Sequence, residues 1–236
     1  MRKHLRKSGQ YMEILSEAAK PGRAAVFFDF DNTIATCDVF DDMLLHFGVD
    51  PAWQDLEAKW KAGKIGSRQC LEGQIKCMNV PRERLDKYLS RIKLDPYFKK
   101  ILQLLAKYGI APSIVSDNFD YMLKRILKQR DINITVYANH ARLRHARLIP
   151  SFPHTDKKCP ACAHCKKKNL LSYSGKNSII LYIGDGRSDR CPAKYADVVF
   201  AKGYLLNYCK IEKLPYIPFK TLKDVYNCLR GAFDER

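Results

Sequence analysis

The 236-residue chain lacks any apolar run approaching the roughly 18 residues that cross a bilayer, so a membrane-spanning helix is not expected. It has no internal repeat and no long flexible linker, which excludes a repeat array. It has no zinc-finger spacing, no RNA-binding aromatic motif and no low-complexity arm, so the usual sequence marks of nucleic-acid binding are missing. Its N-terminus is basic, but Tyr11 to Lys20 is a mixed amphipathic stretch without the apolar h-region of a signal peptide. A cytoplasmic location is therefore expected. Acidic residues are scarce: 25 Asp and Glu against 42 Lys and Arg, a net charge of +17. The basic residues gather at Arg2–Lys7, Lys124–Arg130, Arg142–Arg147 and Lys157–Lys168. Without a nucleic-acid motif, this excess reads as a solvated surface that attracts anionic small molecules, and nucleic acid is not the expected partner.

What is present is a core-forming composition, 46% hydrophobic, and nine cysteines. Six cysteines (Cys37, Cys70, Cys77, Cys191, Cys209, Cys228) are scattered and read as small reduced packing residues. Without a secretory signal a disulfide framework is not expected. The other three form a cluster, discussed below.

Ala24–Phe28 is apolar throughout, as a buried parallel strand is. It runs into Asp29-Phe30-Asp31-Asn32-Thr33. Residues 38–95 read instead as several short helices, with breaks near Gly48–Pro51, Gly63–Gly66 and Asn79–Pro81. From Asp95-Pro96 onward the pattern alternates. Phe98, Ile101, Leu102, Leu105 and Tyr108 fall at helical spacing, stopped by Gly109. Ile110–Val115 and Ile132–Ala138 are strand-like, with Phe119–Gln129 helical between them. Leu143–Ile149 has the character of a segment that pairs with a neighbour. Residues 150–165 are irregular. Ser178–Ile183 is a buried strand, Ser188–Tyr195 a helix, Val198–Ala201 a strand, and a helix from Thr221 to about Leu229 follows. The expected fold class is α/β: a parallel sheet with helical crossovers. In such sheets ligands gather at the carboxyl ends of strands. Asp29, Ser116 and Asp185 each close a strand in this reading.

Two carboxylates two residues apart at a strand end suit metal-assisted phosphoryl transfer. Asp29 can attack phosphorus, and Asp31 can protonate the leaving alcohol and then activate water. Mg²⁺ brings the anions together, with carboxylates from Asp29 and Asp185 and the carbonyl of Asp31 as ligands. Ser116 and nearby backbone N–H groups would hold phosphate oxygens at a helix N-terminus. Lys157, Lys158, Lys166, Lys167 and Lys168 are the candidates to balance phosphoryl charge. Asp189, four residues after Asp185, would orient the metal or anchor Ser116 and the lysine.

Cys159, Cys162 and Cys165 have overlapping C-x-x-C spacings. With His154 or His164 they match a Cys₃His structural Zn²⁺ site. Reduced loop thiols and a local disulfide are the other readings.

These residues resemble the haloacid dehalogenase-like phosphatases, in the phosphoserine-phosphatase-like branch with a small helical cap after the first strand. Asp29–Thr33 resembles the first family motif, Ser116 the second, and Gly184–Asp189 the fourth. The likeness runs from about residue 24 over nearly the whole chain. The resemblance implies a Rossmann-like core at 21–37 and 96–236, a helical cap at 38–95, and an N-terminal basic, helical extension at 1–20. It implies Asp29 as nucleophile, Asp31 as acid/base, Mg²⁺ on Asp29, Asp31 and Asp185, and Asp189 as the supporting acid. Tyr182–Phe219 is similar to phosphatases of 2-hydroxy-3-keto-5-methylthiopentenyl-1-phosphate. The Cys162–Lys166 run is similar to these and to phosphocholine/phosphoethanolamine phosphatases, which singles out Lys166 as the third-motif lysine. Gly63–Gln74 resembles the branch's cap and implies specificity through Arg68 or Glu72. Asp117-Asn118 follows Ser116 where phosphoserine phosphatases carry two glycines. That departure leaves the substrate open within a class of small phosphorylated metabolites, with Ser116, Asp117, Asn118 and Lys166 as binding residues. The expected activity is Mg²⁺-dependent phosphomonoester hydrolysis through an aspartyl-phosphate. The alternatives are a phosphotransferase or mutase, or a basic nucleic-acid-binding or regulatory protein on the same scaffold.

Overall fold

The computed structural model describes residues 8–156, 158, 159 and 161–234. The chain order is α1 (Ser8–Ala18), β1 (Ala24–Phe28), then four helices α2 (Val39–Phe47), α3 (Ala52–Lys61), α4 (Ser67–Lys76) and α5 (Arg82–Arg91). Then come α6 (Tyr97–Lys107), β2 (Ser113–Phe119), α7 (Asp120–Lys128), β3 (Thr135–Arg144) and β4 (Arg147–Ser151). The order continues with α8 (Lys166–Tyr173), β5 (Ile179–Gly184), α9 (Arg190–Ala193), β6 (Val198–Ala201), α10 (Gly203–Ile211), β7 (Ile217–Pro218) and α11 (Leu222–Asp234).

The seven strands form one sheet ordered β4-β3-β2-β1-β5-β6-β7, parallel except for the antiparallel β3–β4 hairpin. The fold class is thus α/β. β1 sits between β2 and β5 because Val26, Phe27 and Phe28 are apolar on both faces and need cover from both sides. The chain leaves β1 toward β2 on one side and returns as β5 on the other. A crevice opens at such a reversal, outside the carboxyl ends of the strands.

The helices form where apolar residues recur at three- and four-residue spacing. α6 buries Phe98, Ile101, Leu104 and Leu105. Asp95 accepts from the Tyr97 backbone N–H at 2.9 Å, and Gly109, at φ +67°, lets the chain turn away. The other Asp95 oxygen accepts from Leu222 N, which pins the start of α11 to the start of α6.

Helices α2–α5 leave the sheet between β1 and α6. A backbone bridge between Ala35 and Leu94 closes the two connecting strands. The insertion is held on the far side as well. The Ser67 backbone N–H donates to the Ala161 carbonyl at 2.8 Å, and the Ala163 N–H donates to Ser67 Oγ at 2.7 Å.

Several sequence expectations differ in detail. The segment 143–149 pairs with itself: β3 runs on through Arg144 and turns back at His145 and Ala146, both at positive φ as a tight hairpin requires. The helix expected at 188–195 is one short turn, Arg190–Ala193. α8, α10 and β7 arise in segments where periodicity gave no element. Of the expected N-terminal extension, residues 1–7 lie outside the described residues. Residues 8–18 form α1, which buries Tyr11, Leu15 and Ala18 against the main core and packs on α11, so it is part of the core.

Candidate active site

The site is built on one pair of strand ends. β1 stops at Phe28 and β5 at Gly184, one place apart in a continuous parallel register, so Asp29 and Asp185 emerge side by side. The Asp29 N–H still donates to Ile183 O at 2.8 Å, which keeps the backbone in line as the side chain leaves the sheet. Asp29 is 5% exposed.

Lys166 starts α8 and is 2% exposed. Its Nζ donates to Asp29 Oδ1 at 2.6 Å and to Asp189 Oδ1 at 2.8 Å. Burial presses the ammonium toward neutrality, but Asp189 and Asp29 outweigh that and hold its pKa above the usual lysine value. Of the other candidate lysines, Lys167 lies over the Tyr195 ring and Lys168 donates to Thr155 O. Lys158 is exposed and Lys157 lies outside the described residues.

Asp189 is fully buried and saturated. Oδ1 accepts from Lys166 and the Tyr182 hydroxyl; Oδ2 accepts from the backbone N–H groups of Asp185 (2.9 Å) and Gly186 (2.8 Å). Two oxygens have about four acceptor positions, and all are used. Asp189 therefore shapes the turn and orients the lysine. Gly184 makes room for this: a Cβ there would lie 2.5 Å from Asp189 Oδ2.

Asp31 points differently. Its two oxygens both accept from Asn118 Nδ2, at 3.1 and 3.2 Å, and Oδ1 also accepts from the Val39 backbone N–H at 2.8 Å. Ser116 Oγ stands 3.5 Å from it. Burial, helped by the charge of Asp38, raises the Asp31 pKa well above the usual carboxylate value, against the Val39 and Asn118 hydrogen bonds. The protonated form needed of an acid is thus favoured. Asn32 takes φ +52°, a conformation glycine adopts freely and asparagine tolerates, which turns the chain between Asp31 and Thr33. Thr33 Oγ1 then donates to Asp185 Oδ1 at 2.8 Å. Asp185 is raised to about 6, first by burial and then by Asp189.

Asp29, Asp185 and Asp189 bring carboxylate oxygens within 4.8 Å of one another, the one such group of metal-ligating side chains among the described residues. Burial and the Asp189 charge raise Asp29 well above its ordinary value, with Lys166 opposing. A crowd of buried carboxylates with one lysine is short of positive charge, and a hard divalent cation fits that donor set. With Asp189 saturated, Asp29 and Asp185 are the side chains free to hold it.

Three expectations are corrected. The helix after β2 begins at Asp120, and the β2–β3 register shifts between Val115 and Phe119, so Ser116 lies within an irregular strand rather than at a helix N-terminus. Its hydroxyl accepts from Asn118 N at 3.1 Å and shapes that bend. Arg68 and Glu72 are paired with each other at 2.8 Å and lie outside the cleft; α4 turns Ser67, Cys70, Leu71 and Gln74 inward instead. The zinc set is not assembled: Cys159, Cys162 and Cys165 are free thiols that, with His154, do not converge as the carboxylates do. His164 is buried with neither ring nitrogen in a hydrogen bond.

The cleft holds more than the sequence suggested. Asp38, Asp41, Glu57 and Trp60 come from the insertion and face the strand ends, with Phe40 and Arg187 beside them. Seven carboxylates and two cations line it, inside a chain of net charge +17. Asp117 Oδ1 has no hydrogen-bond partner in the protein, and burial raises Asp117 to about 6.

Residues 24–215 match the family model described as "Putative Phosphatase". The chain belongs to that family. It is a phosphoric monoester hydrolase of the haloacid dehalogenase-like superfamily, whose phosphatases use Mg²⁺. Similar proteins include the 2-hydroxy-3-keto-5-methylthiopentenyl-1-phosphate phosphatases of Exiguobacterium sibiricum and Geobacillus thermodenitrificans. The first is 27% identical over 213 residues, covering 87% of this chain and 95% of that protein. The second is 27% identical over 209 residues, covering 87% and 94%. Among solved structures, a substrate-bound phosphoserine phosphatase complex superposes with TM-score 0.68 at 19% identity, covering 87% of this chain and 97% of the other. A phospho-aspartyl intermediate analogue of phosphoserine phosphatase does so with TM-score 0.68, also at 19% identity, over 87% and 98%. No helix among the described residues is long and apolar enough to cross a membrane.

Proposed function

We propose that this phosphatase hydrolyses a small phosphomonoester whose alcohol carries a positive charge. The observation behind this is the surplus of carboxylates on the insertion side of the cleft. Asp29, Asp185 and Lys166 suffice for the phosphoryl end. Asp38, Asp41 and Glu57 of the insertion, the last paired with Lys61 at 2.9 Å, and Asp117 of β2 remain, with Trp60 and Phe40 also lining the cleft, which suits an ammonium or quaternary ammonium group. An anionic leaving group would meet a side of the cleft lined mainly by carboxyl groups.

Asp29 is the nucleophile in this reading. It is the buried carboxylate at the β1 end, and Lys166 fixes its orientation. Asp29 and Asp185, with the Asp31 carbonyl, would hold Mg²⁺, which supplies the positive charge that lets an anionic nucleophile approach an anionic phosphoryl group. Asp31, whose pKa burial raises, donates a proton to the departing alkoxide. As a carboxylate it then takes a proton from the attacking water, with Asn118 and Val39 N holding it in place for both steps. Helices α2–α5 act as a cap at 38–95 that covers the strand ends and supplies the selective groups. A cytoplasmic site of action belongs to the same proposal, supported by nine unpaired thiols.

The test is phosphate release from matched esters with cationic, neutral and anionic alcohols. The cationic ester is expected to lead in kcat/KM by about tenfold or more, equivalent to about 1.4 kcal/mol. Equal rates for the neutral isostere would remove the charge argument.

A further inference from the structure

Another cavity has the opposite character to the active-site cleft. It measures about 530 Å³, within the range of about 300–1,000 Å³ typical of ligand sites. It opens where the insertion meets the core. Thr36 and Lys93, on the two connecting segments, help line it, and the Thr36 N–H donates to Lys93 O at 3.0 Å. Arg84, Lys87 and Arg91 project into it from α5. Their spacing of three and four residues puts them on one helix face, opposite buried Leu85 and Leu89. His46 of α2 adds a ring nitrogen. The one lining carboxylate, Asp42, is already taken, accepting from the Tyr88 hydroxyl at 2.8 Å. Arg84 lies over the Phe47 ring, and neither Lys87, Arg91 nor Lys93 has an acidic partner among the described residues.

We propose that this cavity binds a small polyanion bearing two or more phosphoryl groups. Four cations converge on a concave site, and their one acidic neighbour is occupied. All four are exposed and solvated in the free protein, and together they offer an anion several charged donors at one concave site. Its place decides its effect. α2 separates the two cavities, giving Phe40 and Asp41 to the cleft and Asp42 and His46 to this one. α5 and Lys93 both belong to the insertion and lie beside its hydrogen-bonded connection to Thr36 of the core, so an anion held here sits against the hinge between insertion and core. This inference stands apart from the reading of the substrate, since binding here uses none of the catalytic residues.

The test is calorimetric titration of pyrophosphate, and separately of ATP, into the full chain in EDTA. Without a divalent cation the carboxylate-lined cleft repels both probes, so the cavity is read alone. Binding that weakens with added salt is expected. Lys87→Gln with Arg91→Gln, both exposed and therefore compatible with folding, is expected to weaken it by about tenfold or more. Lys99→Gln with Lys107→Gln, exposed on α6, should leave it unchanged. Hydrogen exchange at the Thr36 amide should slow when the probe binds. Tighter binding of ATP than of pyrophosphate would assign a nucleotide; equal binding would assign the polyphosphate group alone. No binding by the wild-type chain overturns the proposal. So does equal loss in both double variants, which would reveal diffuse surface attraction.

Discussion

Replacing Lys166 with methionine tests the electrostatics of the site most sharply. The lysine is 2% exposed and its Nζ is shared between Asp29 and Asp189, both buried. Methionine keeps most of the volume and removes the charge, leaving two like charges in a low-dielectric setting. Breaking a buried pair by removing one partner costs about 3–5 kcal/mol, and here one cation serves two anions. The upper half of that range is therefore expected in a urea titration in EDTA. Asp189→Asn in the same chain relieves the repulsion, so the double variant should be more stable than the sum of the single losses by about 1–3 kcal/mol. Activity should fall with Mg²⁺ present in every case, because Asp29 loses the group that orients it. A Lys166→Met chain destabilised by less than about 1 kcal/mol, or strict additivity with Asp189→Asn, would refute the picture of a buried, mutually dependent triad.

Other substitutions address separate parts of the account. Asp29→Asn should abolish turnover, with unchanged far-UV circular dichroism. Gly184→Ala should cost activity without touching any reacting group, since its Cβ would displace the Asp189 carboxylate; normal kinetics would show that the turn can shift. Asn118→Ala frees the acid/base carboxylate and should lower kcat by about 10- to 100-fold with a smaller effect on KM. Asp41 stays accessible from the cleft, yet its setting raises it to about 7, first by desolvation and then through Asp38 and Glu57. Below that pH it is neutral and above it anionic, so KM for a cationic ester should fall as pH rises through about 7. Asp41→Asn should flatten that part of the profile.

How far the sequence foretold this arrangement depended on which physical signal each residue leaves. β1 and the position of its two aspartates are legible because a short run that is apolar throughout reads as a buried strand, and the carboxylates follow it directly. Asp185 and Asp189 were legible for the same reason. Lys166 was reached only through family likeness: within Lys166-Lys167-Lys168 nothing local distinguishes the buried lysine from its exposed neighbours. The same polar run hid α8. Ser116 was misplaced because a shift in strand register, set by pairing with β3, leaves no pattern in composition. Arg68 and Glu72 fall outside the cleft because of helical phase, since α4 faces inward with Ser67, Cys70, Leu71 and Gln74. Asp38, Asp41 and Glu57 went unnoticed one by one. Their signal was collective: acidic residues, scarce in this chain, placed in the segment that folds toward the strand ends.

Phosphate release from a panel of small phosphomonoesters, run with Mg²⁺ and with chelator on the wild-type chain and on Asp29→Asn, bears most directly on the whole account. Release that requires Mg²⁺, is strongest on an ester with a cationic alcohol, and vanishes in Asp29→Asn is the predicted result. Release that persists in chelator, or survives in Asp29→Asn, would contradict it.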